Sequence, residues 1–348
     1  MKIKYFIYCF ILLSIFSYSC TYEEVSRNNN IKEQILQKIQ IVEKKPVKVI
    51  NKTPNGVTFF RPIFIRYNKY DNNVYVVDSG NHRIVVFDED LNYIKELGKY
   101  GQGLGEFDTP VGIAFMKNGN FIVTDKENRR RQIYDNNFNI ISQFRDVIGL
   151  AHGMYVLTDS HDKIYIHMNY PFNGFLFTIK DNKGEEIAKF GKIFKYETKE
   201  FEAHENDAHY ILDSQDNLYC AFMNYPILRK YDNNYNLLYE IDYSYIPGVK
   251  NQLKKWNKIM ETKKNKLSYY YSYKLFIRCI SVDNEYLYIK FYGEEGLPIY
   301  IFEKENFKLV KKLVFNENDH LIIQFDFSAK EYFYTVNPIK MTVSMFKK

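Results

Sequence analysis

The sequence predicts an all-β, six-bladed β-propeller whose ring is closed by an N-terminal strand and which carries one helical insertion between blades four and five. Three observations lead there. The segment YDNNFNII (Tyr134–Ile141) returns as YDNNYNLL (Tyr231–Leu238), with weaker copies FDEDLNYI from Phe87, IKDNKGEEI from Ile179 and FEKENFKLV from Phe302. Aligned on the acidic residue, positions 88, 135, 181 and 232 lie 47, 46 and 51 apart, a blade-like period. Asp and Asn tolerate positive φ and bond their own backbone, so each copy reads as a tight hairpin turn. Six strand-like runs, near 76, 123, 166, 220, 289 and 334, read as the second strands of six blades. Finally, 32 Tyr and 28 Phe among 348 residues favour half-buried strands, although the codon supply of an AT-rich genome accounts for part of that excess.

The chain opens as an exported protein does. Lys2 and Lys4 precede the apolar run Tyr5–Phe16, which is short for a membrane span and suits a signal peptide. Ser19-Cys20 then resembles a bacterial lipobox, with Ser17 where an aliphatic residue is usual. This resemblance implies lipidation at Cys20; an ordinary cleaved signal with a coincidental Cys is the competing reading. Glu23 and Glu24 resemble the surface-export signals of some Gram-negative lipoproteins. The expected organisation is a signal peptide over 1–19, a polar tether over 20–45 with a short helix at Ile31–Ile39, and the propeller over 46–348.

The elements follow in order. Pro46–Asn51 alternates like a strand, whereas the chain ends in MTVSMFKK, which aligns with a third strand. The first segment is therefore expected to supply the missing fourth strand of blade six, leaving no sheet edge open. Blade two reads as strands at Gly112–Phe115, Phe121–Thr124, Arg131–Tyr134 and Ile140–Phe144. The copies DSHDKIY (Asp159–Tyr165) and DSQDNLY (Asp213–Tyr219) are turns between first and second strands. MNYP, at Met168–Pro171 and Met223–Pro226, falls between second and third strands, as do YGEEGLP (Tyr292–Pro298) and VNP (Val336–Pro338). The interval from 220 to 289 is too long for one blade. Its excess, about 247–273, carries Val249, Leu253, Trp256, Met260 and Leu267 at helical spacing, opposite six lysines from Lys250 to Lys264. An amphipathic basic helix is expected. It lies on the propeller with its lysines in water, or it docks a partner or an anionic surface.

Residues 97–144 resemble an NHL repeat: a G-x-G-x-G-E-F lead-in at Gly101–Phe107, then Pro110-Val111-Gly112-Ile113-Ala114, then Asn118–Asp125, then Asn128. The preceding unit carries the matching NNVYVVDSGNHRIVVFD from Asn72 to Asp88. The whole chain resembles the exported NHL-type six-bladed lipoproteins of Gram-negative bacteria, with an NHL- or TolB-like architecture. In that fold Asp78, Asn81, Arg83, Asp125 and Asn128 brace the turn between second and third strands, while Gly101, Gly103 and Gly105 permit close crossing between blades. The resemblance implies a monomer in the outer membrane, periplasmic or surface-displayed, held by its lipid.

No nucleophile elbow, P-loop, dinucleotide fingerprint, H-E-x-x-H or C-x-x-C is present in the sequence. Two sites remain. The first is the rim formed by the loops between second and third strands, with Asn81, His82, Arg129, Arg130, Asn169, Tyr170, Asn224, Tyr225 and Asn337. Amides and rings there suit a protein or glycan ligand, and turn chemistry is the plainer account. The second is KEFEAHENDAH, where His204, Glu205, Asp207 and His209 have the donor types of a divalent metal; as an inter-blade loop it needs none. His82 and His167 read as structural, and Cys220 and Cys279 as buried small hydrophobes. The 48 Lys and Arg exceed the 42 Asp and Glu by six, and loss of Lys2 and Lys4 with the signal leaves +4. That mild charge and the export signal argue against nucleic acid. The leading expectation is a binding or scaffold lipoprotein without a cofactor. The alternative is a metal-dependent lyase or hydrolase of the NHL-propeller kind with its site in the central channel.

Overall fold

The structure, a computed structural model, describes residues 39–145, 155–167, 174–196, 198, 202, 204–262, 275–294, 298–315 and 324–348. By internal contacts the chain divides into residues 1–40 and 41–348; the propeller belongs to the second unit. Cys20 and the helix expected at Ile31–Ile39 lie outside the described residues, apart from Ile39 itself.

Six antiparallel sheets form the blades. Blade one is β3 (Pro62–Asn68), β4 (Asn73–Asp78), β5 (Arg83–Phe87) and β6 (Tyr93–Leu97), and blade two is β7 (Pro110–Phe115), β8 (Phe121–Asp125), β9 (Arg130–Tyr134) and β10 (Ile140–Arg145). Blade three is β11 (Val156–Thr158), β12 (Ile164–His167), β13 (Phe175–Lys180) and β14 (Glu186–Lys192), and blade four is β15 (Ala208–Leu212), β16 (Leu218–Phe222), β17 (Ile227–Tyr231) and β18 (Leu237–Asp242). Blade five is β19 (Ile277–Val282), β20 (Tyr286–Phe291), β21 (Ile299–Glu303) and β22 (Leu309–Phe315), and blade six contributes β23 (Gln324–Asp326), β24 (Tyr332–Asn337) and β25 (Thr342–Lys347). First strands touch around the ring, β3 to β7, β11, β15, β19, β23 and back to β3. All six expected second strands are where the sequence put them.

Burial explains the radial order. Second and third strands such as β5, β8 and β16 are buried along their whole length, because each lies between two neighbouring blades. Outer strands such as β6 and β10 alternate half-buried with exposed, the pattern of a sheet with one wet face. Between blades one and two, Tyr75, Val77 and Ile84 pack against Phe107, Phe121 and Tyr134.

β2 (Lys48–Ile50) closes the ring. It runs antiparallel to β25, pairing Lys48 with Met345 and Ile50 with Val343. At that seam Val74, Val76 and Phe87 of blade one meet Tyr334, Val336 and Met345 of blade six, with Ile50 packed against them. The tether expected over 20–45 needs correcting at its end. β1 (Gln40–Lys44) adds a fifth strand to blade five beside β22. The reason is local alternation: Val42 packs against the Phe315 and Phe346 cluster while Ile41 faces solvent.

The turns after third strands use the Asp as expected. Asp135 accepts from the amides of Asn137 (2.9 Å) and Asn139 (2.8 Å), and Asp232 from those of Asn234 (2.9 Å) and Asn236 (2.8 Å). Positive φ, however, falls on Phe138 (71°) and Tyr235 (69°) rather than on an Asn. Bonding both the second and the fourth amide bends the chain at the residue between them. The rings compensate the strain by packing: Phe138 lies 5.0 Å from Phe121, under the Lys95 ammonium at 3.4 Å.

The insertion between blades four and five is helical as expected. α1 (Pro247–Thr262) buries Val249, half-buries Leu253 and Trp256, and exposes Lys250, Lys254, Lys255 and Lys258. Gly248 fits against the Tyr292 carbonyl, 2.6 Å from where a Cβ would stand. Residues 263–273 of the expected insertion lie outside the described residues.

Truncation separates the two N-terminal strands. A chain beginning at residue 45 loses the half-buried Val42 and the edge pairing of β1 with β22, at a cost of about 1–2 kcal/mol, and should melt a few degrees lower. A chain beginning at residue 52 also loses Ile50 and the pairing of β25, at a cost of roughly 4 kcal/mol, and should melt far lower. Equal thermal melts for the two would contradict closure by β2.

Candidate functional site

Most of the described residues expected on the rim between second and third strands are holding the fold. Asp78 accepts from Asn81 Nδ2 (2.8 Å), Arg83 Nε (2.8 Å) and the Phe60 amide (2.8 Å). Blade two repeats this: Asp125 accepts from Asn128 Nδ2 (2.8 Å), Arg130 Nε (2.8 Å) and the Asp108 amide (2.7 Å). Arg130 further donates to the carbonyls of Gln102, Gly103 and Glu106, so it fastens the glycine-rich lead-in to its blade. Burial pushes the Asp125 carboxyl above its ordinary range, against the opposing pull of Asn128 and Arg130. His82 sits in the left-handed region at φ 54° and accepts from the Thr109 amide at 3.1 Å. Arg129 is exposed; Asn224 is buried and donates to the His204 carbonyl at 2.6 Å. Tyr225 is half-buried with its ring 4.6 Å from Phe194. Asn337 is buried and accepts from the amides of Ile339 and Lys340. Asn169 and Tyr170 lie outside the described residues.

The expected metal donors have local partners. His204 Nδ1 lies 3.5 Å from Glu205 Oε1, Asp207 accepts from the Ala208 amide, and the His209 ring stacks on Tyr155 at 6.0 Å. Among the described residues these four form no metal-holding group. The free Cys220 and Cys279 are buried, and burial pushes both thiols up to about 12.

A cavity lies instead on the opposite face, that of the turns between first and second strands. This cavity of about 170 Å³ takes walls from all six blades: Arg66 and Tyr70, Phe115, Asp159, Asp213 and Asp216, Asp283, and Asp326. The carboxylates are there because each ends or follows a first strand and ties its own turn. Asp159 accepts from the amides of His161 and Lys163, both at 2.9 Å, and Asp213 from those of Gln215 and Asn217, both at 2.9 Å. A second Asp in each copy reaches back one blade, Asp162 to the Lys117 amide (2.6 Å) and Asp216 to the Ser160 amide (2.9 Å) and hydroxyl (2.6 Å).

Three of these carboxylates face a fixed cation. Lys304 lies 3.4 Å from Asp213, Lys348 lies 2.9 Å from Asp283, and Arg66 lies 3.9 Å from Asp326. Burial alone would raise the Asp283 carboxyl, but the Tyr288 hydroxyl, Lys348 and the Tyr286 amide outweigh it and hold it below its usual range. Asp159 and Asp216 have no Lys or Arg within ion-pair distance among the described residues; His161 Nδ1, 3.7 Å from Asp216, is the nearest basic group recorded for either. Sequence reasoning recognised DSHD and DSQD as turns and missed that they line a cavity. The signal was the His of one copy standing where the other has Gln215.

These features define an NHL-like six-bladed β-propeller with a polar axial cavity. The NHL repeat model matches residues 59–87, the entry and first three strands of blade one. A stretch of 40 residues is 45% identical to the RING finger protein nhl-1 of Caenorhabditis elegans, covering 12% of this chain and 4% of that protein. An exported protein of Bacteroides fragilis, as its structure is described, superposes with a TM-score of 0.60 at 12% identity, over 88% of this chain and 98% of that one. A catalytically inactive His-to-Ala variant of virginiamycin B lyase from Staphylococcus aureus, with quinupristin, superposes with a TM-score of 0.51 at 11% identity, over 82% and 80%. At such identities the likeness is one of fold.

Two substitutions check this electrostatic account. Arg130→Ala leaves the buried Asp125 without its cation and should cost about 3 kcal/mol or more, read by chemical denaturation. Lys348→Met should cost about 1 kcal/mol at pH 7. Because the folded Asp283 carboxyl is depressed, its stabilisation is present above the unfolded carboxylate pKa of about 3.9 and is lost as pH falls through the lower folded value. The gap between mutant and wild type should therefore close on acidification. A constant gap from pH 7 to pH 3 would remove Asp283 from the account.

Proposed function

We propose that this chain is an exported, envelope-anchored binding propeller that holds a hydroxylated ring of a glycan in its axial cavity. The observation that carries this reading is the cavity itself: about 170 Å³, walled by six blades, with five carboxylates. That volume resembles the ~150 Å³ that takes one benzene ring, so it suits one ring of a larger ligand. Carboxylates are acceptors for sugar hydroxyls, and Tyr70, exposed at the mouth, offers a ring face for stacking. Export and anchoring rest on the signal segment and Cys20, with the outer membrane, periplasmic or surface-facing, as the proposed address. No helix among the described residues is long and apolar enough to cross a membrane. The lyase neighbour shares this fold, and its reaction is not carried over.

Ser214 is exposed and lines the cavity, so Ser214→Trp fills it without touching the core. On a glycan array the wild type should label a subset of sugars that Ser214→Trp loses by about tenfold or more. Undiminished labelling by the variant, or labelling of a peptide array alone, would sink the glycan reading.

A further inference from the structure

We propose that Asp159, His161 and Asp216 hold a borderline divalent cation of the Zn²⁺ type at the rim of the axial cavity, across the seam between blades three and four. One ligand atom from each residue lies within 4.8 Å of the others. Bonds of about 2.0–2.2 Å would bring such atoms somewhat closer together, and the side chains divide that task. Asp159 and Asp216 are fixed. They are 4% and 8% exposed, and each is held by hydrogen bonds from Ser160, His161 or Lys163 that leave lone pairs over. The His161 side chain, 71% exposed, is the arm that can swing in.

Charge balance supplies the independent reason. Asp213, Asp283 and Asp326 each have a fixed cation, whereas Asp159 and Asp216 are buried side by side with none among the described residues. Desolvated carboxylates without a counter-charge are costly, and a divalent ion removes that cost. The internal copies give a control. Blade four repeats the turn but carries Gln215 where blade three has His161, so the imidazole occurs in one copy of the pair. Two carboxylates and an imidazole are mixed hard and borderline donors, which suits Zn²⁺ or Mn²⁺. Ca²⁺ seeks six to eight oxygens. Three protein ligands leave a position open for water or a ligand oxygen. The inference goes beyond the glycan reading and does not depend on it.

The test is calorimetric titration of Zn²⁺ into the chelator-stripped full-length chain with no sugar present. One equivalent is expected to bind, with Asp159→Asn, Asp216→Asn and His161→Gln each weakening it by about tenfold or more. Gln215→Ala should bind as the wild type does, and Ca²⁺ should give no comparable heat. Since His161 is exposed, His161→Gln cannot fail by unfolding, and Co²⁺ absorption should lose its imidazole-dependent signature in that variant. Undiminished Zn²⁺ affinity in His161→Gln, or no stoichiometric binding by the wild type, would overturn the site.

Discussion

Closing the ring is the constraint on which everything else depends. A twisted four-stranded sheet has two apolar faces, and in a propeller each is buried only by the blade beside it. Six sheets stacked in a line would leave two faces wet; stacked in a circle they leave none. The seam between blades one and six is where that circle is made. There Val74, Val76 and Phe87 find Tyr334, Val336 and Met345, and β2 gives β25 its partner. The largely buried second and third strands of the blades are a consequence of closure as much as of their own composition.

The turns obey a second economy. One aspartate at the end of a strand satisfies two backbone amides that the hairpin would leave unpaired. Asp135 and Asp232 do this on the outer side of a blade, Asp159 and Asp213 on the inner side. Inner turns converge on the axis, so a device repeated for local reasons concentrates carboxylates at one mouth of the channel. The acidic cavity is thus a by-product of symmetry, which variation in single blades can then refine. Lys304, Lys348 and Arg66 neutralise three positions, and His161 marks a fourth.

Much of the fold was legible because its signals are local. Alternation located the strands, the turn copies fixed the period, and a strand-like PVKVIN opposite a blade short of one strand disclosed the closure. β1 was hidden because five residues with a single half-buried Val42 look like the end of a polar linker. The candidate site was less legible, for a physical reason. Asn81, Arg130 and Asn224 carry the residue types of recognition, yet their donors are consumed by turns and neighbouring loops. Which polar groups are spent on the fold and which remain over is a property of distances across blades, such as Asp216 to Ser160, and no period in the sequence records it.

The partnership of β2 with β25 also sets the order of events in time. Lys48 and Met345 pair across nearly the whole chain, so β2 is among the first strands synthesised and must wait for the last. Blades one to four, and the four consecutive strands of blade five, can each form from neighbouring segments, with little loss of chain entropy per contact. The final seam closes the longest loop the molecule contains, the kind of step that slows folding. Until the C-terminus has been made, the waiting strand stays unpaired. A three-residue strand with Lys48 at its start is a poor template for other chains during that interval.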